Sequence, residues 1–180
     1  TRYSSSLPNK IMFPIEAIVL RKIRIDDRRM VLTCFSSEYG KIDIFHRESP
    51  STTRLDTLSH FTGQIRTKEH NTLSSIYRTT SFTPTGNYDL YDLAGWSVSI
   101  LYTLLPLWLP YPRLFQVLKS ITINHATCHH DILLFLVQTC RDFGIVQCSL
   151  SDYTTLLQDE DGQKKTRQDI EQWITAYRAS

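Results

Sequence analysis

Lysine and arginine side chains are interspersed with aromatic ones along the first half of the sequence, a combination that could bind a polyanion. Cations on one face neutralise phosphates and release counterions, while exposed rings can stack on unpaired bases. The alternative is a solvated rim with the aromatic residues in the core. The aromatic candidates are Tyr39, Phe45, Phe61 and Tyr77. The predicted nucleic-acid contacts are Arg21, Lys22, Arg24, Arg28, Arg29, Lys41, Arg47, Arg54, Arg66 and Lys68, with Arg78 in the same basic set.

The charge of the chain is divided unevenly between its halves. Residues 1–85 hold 13 Lys and Arg against 8 Asp and Glu, whereas residues 86–180 hold 7 against 10. The overall charge of +2 therefore hides a basic first half and an acidic second half. This asymmetry favours a polyanionic partner for the first half and another role for the second.

A run of possible metal ligands, Cys128 to Asp131, lies in the second half together with Cys140. On a helix, adjacent residues point in different directions, so we expect the start of a helix here and no metal site. Asp131 then lies near the positive end of the helix dipole, and Cys140 packs inside. We expect no metal and no cofactor.

Signatures of catalysis are missing from the sequence. It contains no phosphate-cradling glycine loop, no nucleophile elbow and no HExxH motif, so we expect no catalytic residues and no enzyme. Its four cysteines show no CxxC spacing and follow no secretory leader, which favours a reducing, cytoplasmic location. The longest apolar stretch, residues 100–109, is too short to cross a bilayer, so we expect no membrane partner.

The first half also has the pattern of short strands. Gly40 follows Glu38 and Tyr39 in a turn-like segment and is free to adopt positive φ. Short runs joined by turns, without a helical period, predict a small barrel or sandwich. The predicted strands are residues 15–25, 30–36, 41–46, 61–68 and 72–82.

Beyond residues 84–87 the apolar period becomes helical. Pro106, Pro110 and Pro112 separate the first two helices, Thr127 could cap the third, and Gly144 occupies a helix C-terminal position. The charged stretch 158–165 is interpreted as a loop. The predicted helices are residues 88–105, 113–123, 128–143 and 167–178. The expected fold is α+β, with a β-barrel over residues 11–85 and an all-α domain over residues 86–180.

Weak but ordered similarity to a known family extends from residue 16 to residue 157. The segments that carry it are residues 17–20, Asp27, residues 30–40, residues 55–61, residues 132–144 and Cys148. In this order they resemble the RecO family of bacterial recombination mediators. The resemblance implies an OB-fold barrel that binds and anneals single- and double-stranded DNA. It also implies that the chain loads recombinase, together with a RecR-like protein, onto DNA coated by single-strand-binding protein.

The chain departs from the family in its basic loop, which corresponds here to residues 46–54. Arg47 occupies the lysine position, but Glu48 replaces a glycine and most of the cations are missing. The family's four-cysteine zinc module is also absent, and helix residues 128–131 lack the arginines that bind single-strand-binding protein in some relatives. We therefore expect DNA contacts mainly from residues 21–29, Lys41 and residues 66–68.

Two other functions fit the same observations. A protein-interaction scaffold could have kept the fold and lost much of its DNA affinity. An OB-fold protein outside recombination, in an RNA or mobile-element complex, is the third hypothesis.

Overall fold

The computed structural model describes residues 11–48, 54–67, 69–82, 88–124 and 129–179. The fold is α+β, as predicted, with a five-stranded sheet followed by helices. The strands are β1 (Met12–Arg24), β2 (Arg29–Ser36), β3 (Gly40–Arg47), β4 (His60–Thr67) and β5 (Asn71–Thr80). The helices are α1 (Tyr88–Leu104), α2 (Pro112–Asn124), α3 (His129–Asp142), α4 (Leu150–Leu156) and α5 (Glu160–Ala179).

The sheet closes on itself in the order β1-β2-β3-β5-β4. The pairings are antiparallel except between β3 and β5, which meet in parallel at Phe45 and Thr72, and β1 pairs with β4 to complete the circuit. Alternate residues face inwards, as a half-buried strand requires, and Ile42 and Ile44 of β3 lie in the barrel interior. A bulge between Val19 and Arg21 interrupts the pairing of β1 with β2.

Helices α1, α2 and α3 agree with three of the predicted helices. Pro112 is the first residue of α2, where its missing N–H is no loss. Gly144 has φ of 69° beyond α3, where Ile145 N donates to the Cys140 carbonyl over 2.9 Å. The helix at Leu150–Leu156 was not predicted. Residue 127, the predicted cap, lies outside the described residues.

The interpretation of residues 158–165 as a loop is wrong, because α5 begins at Glu160. The Asp159 carboxylate accepts a hydrogen bond from Gly162 N over 2.7 Å, which caps the helix. Acidic residues in the first turn favour this end of the helix dipole. Residues 158–165 have the composition of a polar loop because they form the capped start of the helix. The apolar face of α5 begins later, where Ile170 and Ile174 are buried.

The barrel and the helices share a hydrophobic core. Ile18, Leu20 and Phe35 point outwards from β1 and β2 and pack with buried residues of the helices. Phe35 meets Phe115 of α2 edge to face, with ring centroids 5.7 Å apart. The helices therefore cover one end of the outer surface of β1 and β2. The predicted boundary at residues 84–87 lies outside the described residues, and the division into two domains stays a prediction.

A polar cluster also joins the barrel to α2. The Glu16 carboxylate accepts hydrogen bonds from His60 Nε2 over 2.8 Å and from Lys119 Nζ over 2.6 Å. Burial alone favours a raised pKa for Glu16, but Lys119 and His60 together hold that pKa below its usual value. Burial lowers the pKa of His60, although Glu16 opposes the shift.

The described helices include no segment with the length and apolar character needed to cross a membrane.

Candidate nucleic-acid interface

The helices leave one end of the outer barrel surface uncovered. Ile23 of β1 pairs with Val31 of β2, and Val31 pairs with Phe45 of β3, so the three form a row across the strands. The next residues on the same face are Arg29 and Arg47, which pair directly with each other. We call these five residues the exposed face. It combines apolar and aromatic side chains with two arginines at directly paired positions. Ile23, a large apolar residue within it, is 42% exposed.

The turn between β1 and β2 is organised by Asp26. Its carboxylate accepts hydrogen bonds from the backbone N–H groups of Arg28 and Arg29, over 3.0 and 2.8 Å, and pairs with the Arg29 guanidinium. These hydrogen bonds, that of Arg28 first, lower the pKa of Asp26 to about 2. The turn is thereby fixed, and an open depression at its tip is lined by three arginines and two aspartates: Arg28, Arg29, Arg47, Asp26 and Asp27.

Arg28 and Arg47 form no ion pair among the residues that the structure describes. Both are charged and exposed, as a phosphate-binding residue must be. Arg47 belongs to the exposed face, and Arg28 lies at the turn beside it. Arg66 is also without an ion pair in the described part of the chain. It lies on the same outer surface, since Phe45 pairs with Thr72 and Thr72 pairs with Arg66.

Three other predicted cations are paired with carboxylates. Lys22 Nζ contacts Glu48 at 3.0 Å and Asp56 at 3.2 Å, and it donates to the Leu55 carbonyl over 2.9 Å. Its side chain is only 16% exposed. Arg24 forms an ion pair with Glu48 at 3.6 Å, and Arg54 forms one with Asp56 at 3.2 Å. Lys22 and Arg24 thus fasten the segment after β3 to β1, whereas Arg54 pairs within that segment.

Arg21 and Lys41 both lie against Tyr102 of α1. The Arg21 guanidinium donates to the Tyr102 hydroxyl over 3.0 Å, and Lys41 Nζ donates to the Tyr102 carbonyl over 2.7 Å. Both charges also lie about 5 Å from the centre of the tyrosine ring. They therefore connect the barrel to the helices. Lys68 lies outside the described residues.

Some of the aromatic candidates are also structural, whereas others reach the surface. Phe61 is buried inside the barrel, and Tyr39 packs partly against the same core. Tyr77 is exposed on β5 and is not one of the five residues of the exposed face. Phe45 is partly exposed and stands 5.0 Å from the ring of His70.

Ile23 and Val31 of the exposed face, and His70 and Trp108 next to Phe45 and Val31, are not among the residues predicted from the sequence. Ile23 and Val31 carry the signal of an alternating strand, which does not distinguish an exposed apolar position from a buried one. Trp108 lies within the apolar stretch that precedes Pro110, and its exposure depends on how that segment packs on β3.

The cysteines do not approach a reactive or metal-binding arrangement in the described part of the chain. Cys34 and Cys140 are buried, and burial raises the pKa of both thiols, that of Cys140 to about 12. Helix α3 begins at His129, and Cys128 lies outside the described residues. Among the described residues, no three His, Cys, Asp or Glu side chains are grouped so that they could hold a metal ion.

The chain matches no protein-family model and none of the curated proteins. A functional assignment therefore depends on the geometry of the exposed face and of the cations beside it.

Proposed function

We propose that the protein is a non-enzymatic, single-stranded-DNA-binding protein built on an OB-fold. The strand order β1-β2-β3-β5-β4 supports this fold, since OB-folds are five-stranded Greek-key barrels. Such barrels bind oligonucleotides on the surface of strands 2 and 3 and on the loops that follow strands 1 and 4. The observation that carries the proposal is the pairing of Val31 with Phe45 beside the pairing of Arg29 with Arg47.

The division of labour within this surface follows from its chemistry. Arg28, Arg29 and Arg47 contact phosphates, which positions the strand without reading its sequence. Phe45 and its apolar neighbours contact the bases, whose flat faces are exposed only when they are unpaired. We expect salt-dependent binding with little sequence preference.

The cellular role that we propose is recombination mediation of the RecO type. In that role the protein anneals complementary strands and assists recombinase loading, together with RecR-like and single-strand-binding partners. The ordered similarity over residues 16–157 supports this role, and so does the combination of a small barrel with a helical half.

A second candidate is a protein-interaction scaffold with weakened DNA binding. It is favoured by the neutralisation of Lys22, Arg24 and Arg54 by carboxylates, which leaves fewer cations for phosphate. Under this alternative the protein captures a RecR-like or single-strand-binding protein without measurable affinity for DNA.

The test is a titration of the protein against a fluorescent single-stranded oligonucleotide at several salt concentrations, with RNA and duplex DNA in parallel. We expect the affinity for single-stranded DNA to fall steeply with salt. The double reversal Arg28→Glu and Arg47→Glu should weaken binding at least tenfold. The matched control is Arg113→Glu, an exposed cation on α2, which should bind like the wild type. Absence of binding at low salt would overturn the proposal, and a preference for RNA would favour a different OB-fold class.

A further inference from the structure

Trp108, in the segment between α1 and α2, is held at the surface in a backbone conformation that such residues rarely adopt. Its φ is 61°, in the left-handed region, and its side chain is 59% exposed. Leu58 has a similar φ of 64° but is 5% exposed, so the burial of its side chain offsets the strain. No comparable burial offsets the strain at Trp108. Strained residues of this kind concentrate at ligand-binding sites, where the surrounding structure imposes the conformation.

Main-chain contacts to β3 impose this conformation. Trp108 N donates to the Lys41 carbonyl over 3.0 Å, and Leu107 forms a parallel bridge with Lys41. At Gly40, an added Cβ would lie 2.1 Å from the Leu109 carbonyl oxygen, so the segment lies directly on the β3 backbone. The position of Trp108 is therefore fixed relative to the barrel strands rather than to the helices alone.

Trp108 lines a groove that the exposed face shares. The groove has a volume of about 510 Å³, within the range of sites that hold a small ligand. Val31 and Phe45 of the exposed face lie on one side, His70 follows β4, and Trp108 completes the lining. The rings of Phe45 and His70 are tilted by 41° at 5.0 Å, so an aromatic surface is already assembled.

The charges of the groove favour an uncharged group over a phosphate. Its polar lining includes the carboxylates of Asp43 and Glu69 and contains no lysine or arginine among the described residues. Asp43 accepts a hydrogen bond from the Thr33 hydroxyl over 2.6 Å, which fixes it at the groove wall. Arg29 and Arg47, which face each other across β2 and β3, lie two residues from Val31 and Phe45, or about 7 Å along the strands. A phosphate is attracted to that position, whereas a flat base fits the groove.

We propose that this groove binds an unpaired base, stacked on Trp108 and on the aromatic surface of Phe45 and His70, while Arg29 and Arg47 contact the adjoining phosphate. The inference rests on the proposed function and adds to it a specific base-binding site. A base within a duplex has both faces covered by its neighbours, so the groove selects single strands over duplex.

The test compares Trp108→Gly, Trp108→Phe and the control Tyr91→Ala, which removes an exposed aromatic residue of α1. Glycine adopts the left-handed conformation without strain, so Trp108→Gly should melt at or above the wild-type temperature. Its affinity for a fluorescent 20-nucleotide oligo(dT) should fall about 5- to 150-fold, the usual range for a lost stacking contact. Trp108→Phe keeps a ring and should lose less. Tyr91→Ala should bind like the wild type.

Two readouts separate stacking from charge. The slope of affinity against salt should be unchanged in Trp108→Gly, because no cation is removed, and the affinity for duplex DNA should be unaffected. A folded Trp108→Gly variant with wild-type affinity for oligo(dT) would overturn the inference. If Trp108→Gly binds like the wild type while the double variant Arg28→Glu and Arg47→Glu loses binding, the proposed function stands without this base-binding site. If the wild type binds no single-stranded DNA, both fail.

Discussion

At the scale of the residue, Arg47 and Lys22 carry the same charge in different surroundings. Arg47 is exposed beside Arg29 on the outer surface and has no ion pair among the described residues. Lys22 pairs with Leu32, whose side chain lies in the barrel interior, and its ammonium group is held by two carboxylates and a carbonyl. We therefore assign Arg47 to binding and Lys22 to stability.

Replacing each of these residues by alanine should separate the two roles. Lys22→Ala removes the nearer of the two cations at Glu48 and takes the Lys22 donor away from the Leu55 carbonyl, so the free energy of unfolding should fall by about 1–3 kcal/mol. Arg47→Ala should leave that free energy within about 0.5 kcal/mol of the wild type, as is usual at an exposed position. It should also reduce the salt slope of DNA binding by about 1. Chemical denaturation and salt titration of both variants measure these effects. An Arg47→Ala variant with an unchanged slope would contradict the assignment.

The set of basic residues could be predicted from the sequence, but not which of them point outwards from β1 and which point towards the barrel interior. The reason is the bulge between Val19 and Arg21 of β1. Strict alternation from the inward-facing Val19 would place Arg21 inside, whereas the extra residue turns Arg21 outwards and Lys22 towards the barrel mouth. Nothing in the β-branched run that predicts β1 indicates where the bulge falls.

At the scale of the element, the segment between α1 and α2 contributes to the barrel surface. Leu107, Trp108 and Leu109 are all exposed, yet their backbone lies on β3 and bonds to it. The prolines around this segment predict a break between helices. The contact with β3 could not be predicted from the sequence, because it depends on how α1 and α2 pack on Phe35 and its neighbours.

Gly40 allows this contact, so Gly40→Ala should disturb it. Its φ of 68° is unfavourable for alanine, and the new Cβ would overlap the backbone of Leu109. We expect the free energy of unfolding to fall by about 1–3 kcal/mol. At a temperature where the variant is folded, its affinity for single-stranded DNA should also fall, because Trp108 moves with Leu109.

The matched control is Gly95→Ala on α1, where an added Cβ meets no atom within 4 Å. That variant should be neutral or slightly more stable, since alanine is the better helix former. Thermal melts and oligonucleotide titrations measure both variants. Wild-type stability and affinity in Gly40→Ala would show that the segment does not depend on this close approach.

At the scale of the whole molecule, the sequence predicts the order of strands and helices but not how the two halves meet. The alternation of apolar residues and their helical periodicity are sufficient to predict all five strands and helices α1 to α3. They were insufficient for the short helix α4, and they placed the start of α5 too late because a capped acidic helix end has the composition of a loop. The shared core at Ile18, Leu20 and Phe35 is a long-range contact that local patterns do not encode.

This packing determines which surface remains for nucleic acid. The helices cover one end of the outer surface of β1 and β2 and leave the end with Ile23, Val31 and Phe45 uncovered. A single-stranded DNA that binds by phosphate contacts and stacking should therefore touch the barrel at β2 and β3 and the segment at Trp108. It should touch α4 and α5, on the acidic half of the chain, much less.

Photocrosslinking tests this claim most directly. A single-stranded oligonucleotide substituted with 5-iodouracil is irradiated with the whole protein at low salt, and the crosslinked residues are mapped by mass spectrometry. We expect crosslinks at Phe45 and Trp108 that disappear when unlabelled single-stranded DNA competes or when salt is raised. Crosslinks confined to α4 and α5, or none above the competed background, would contradict it.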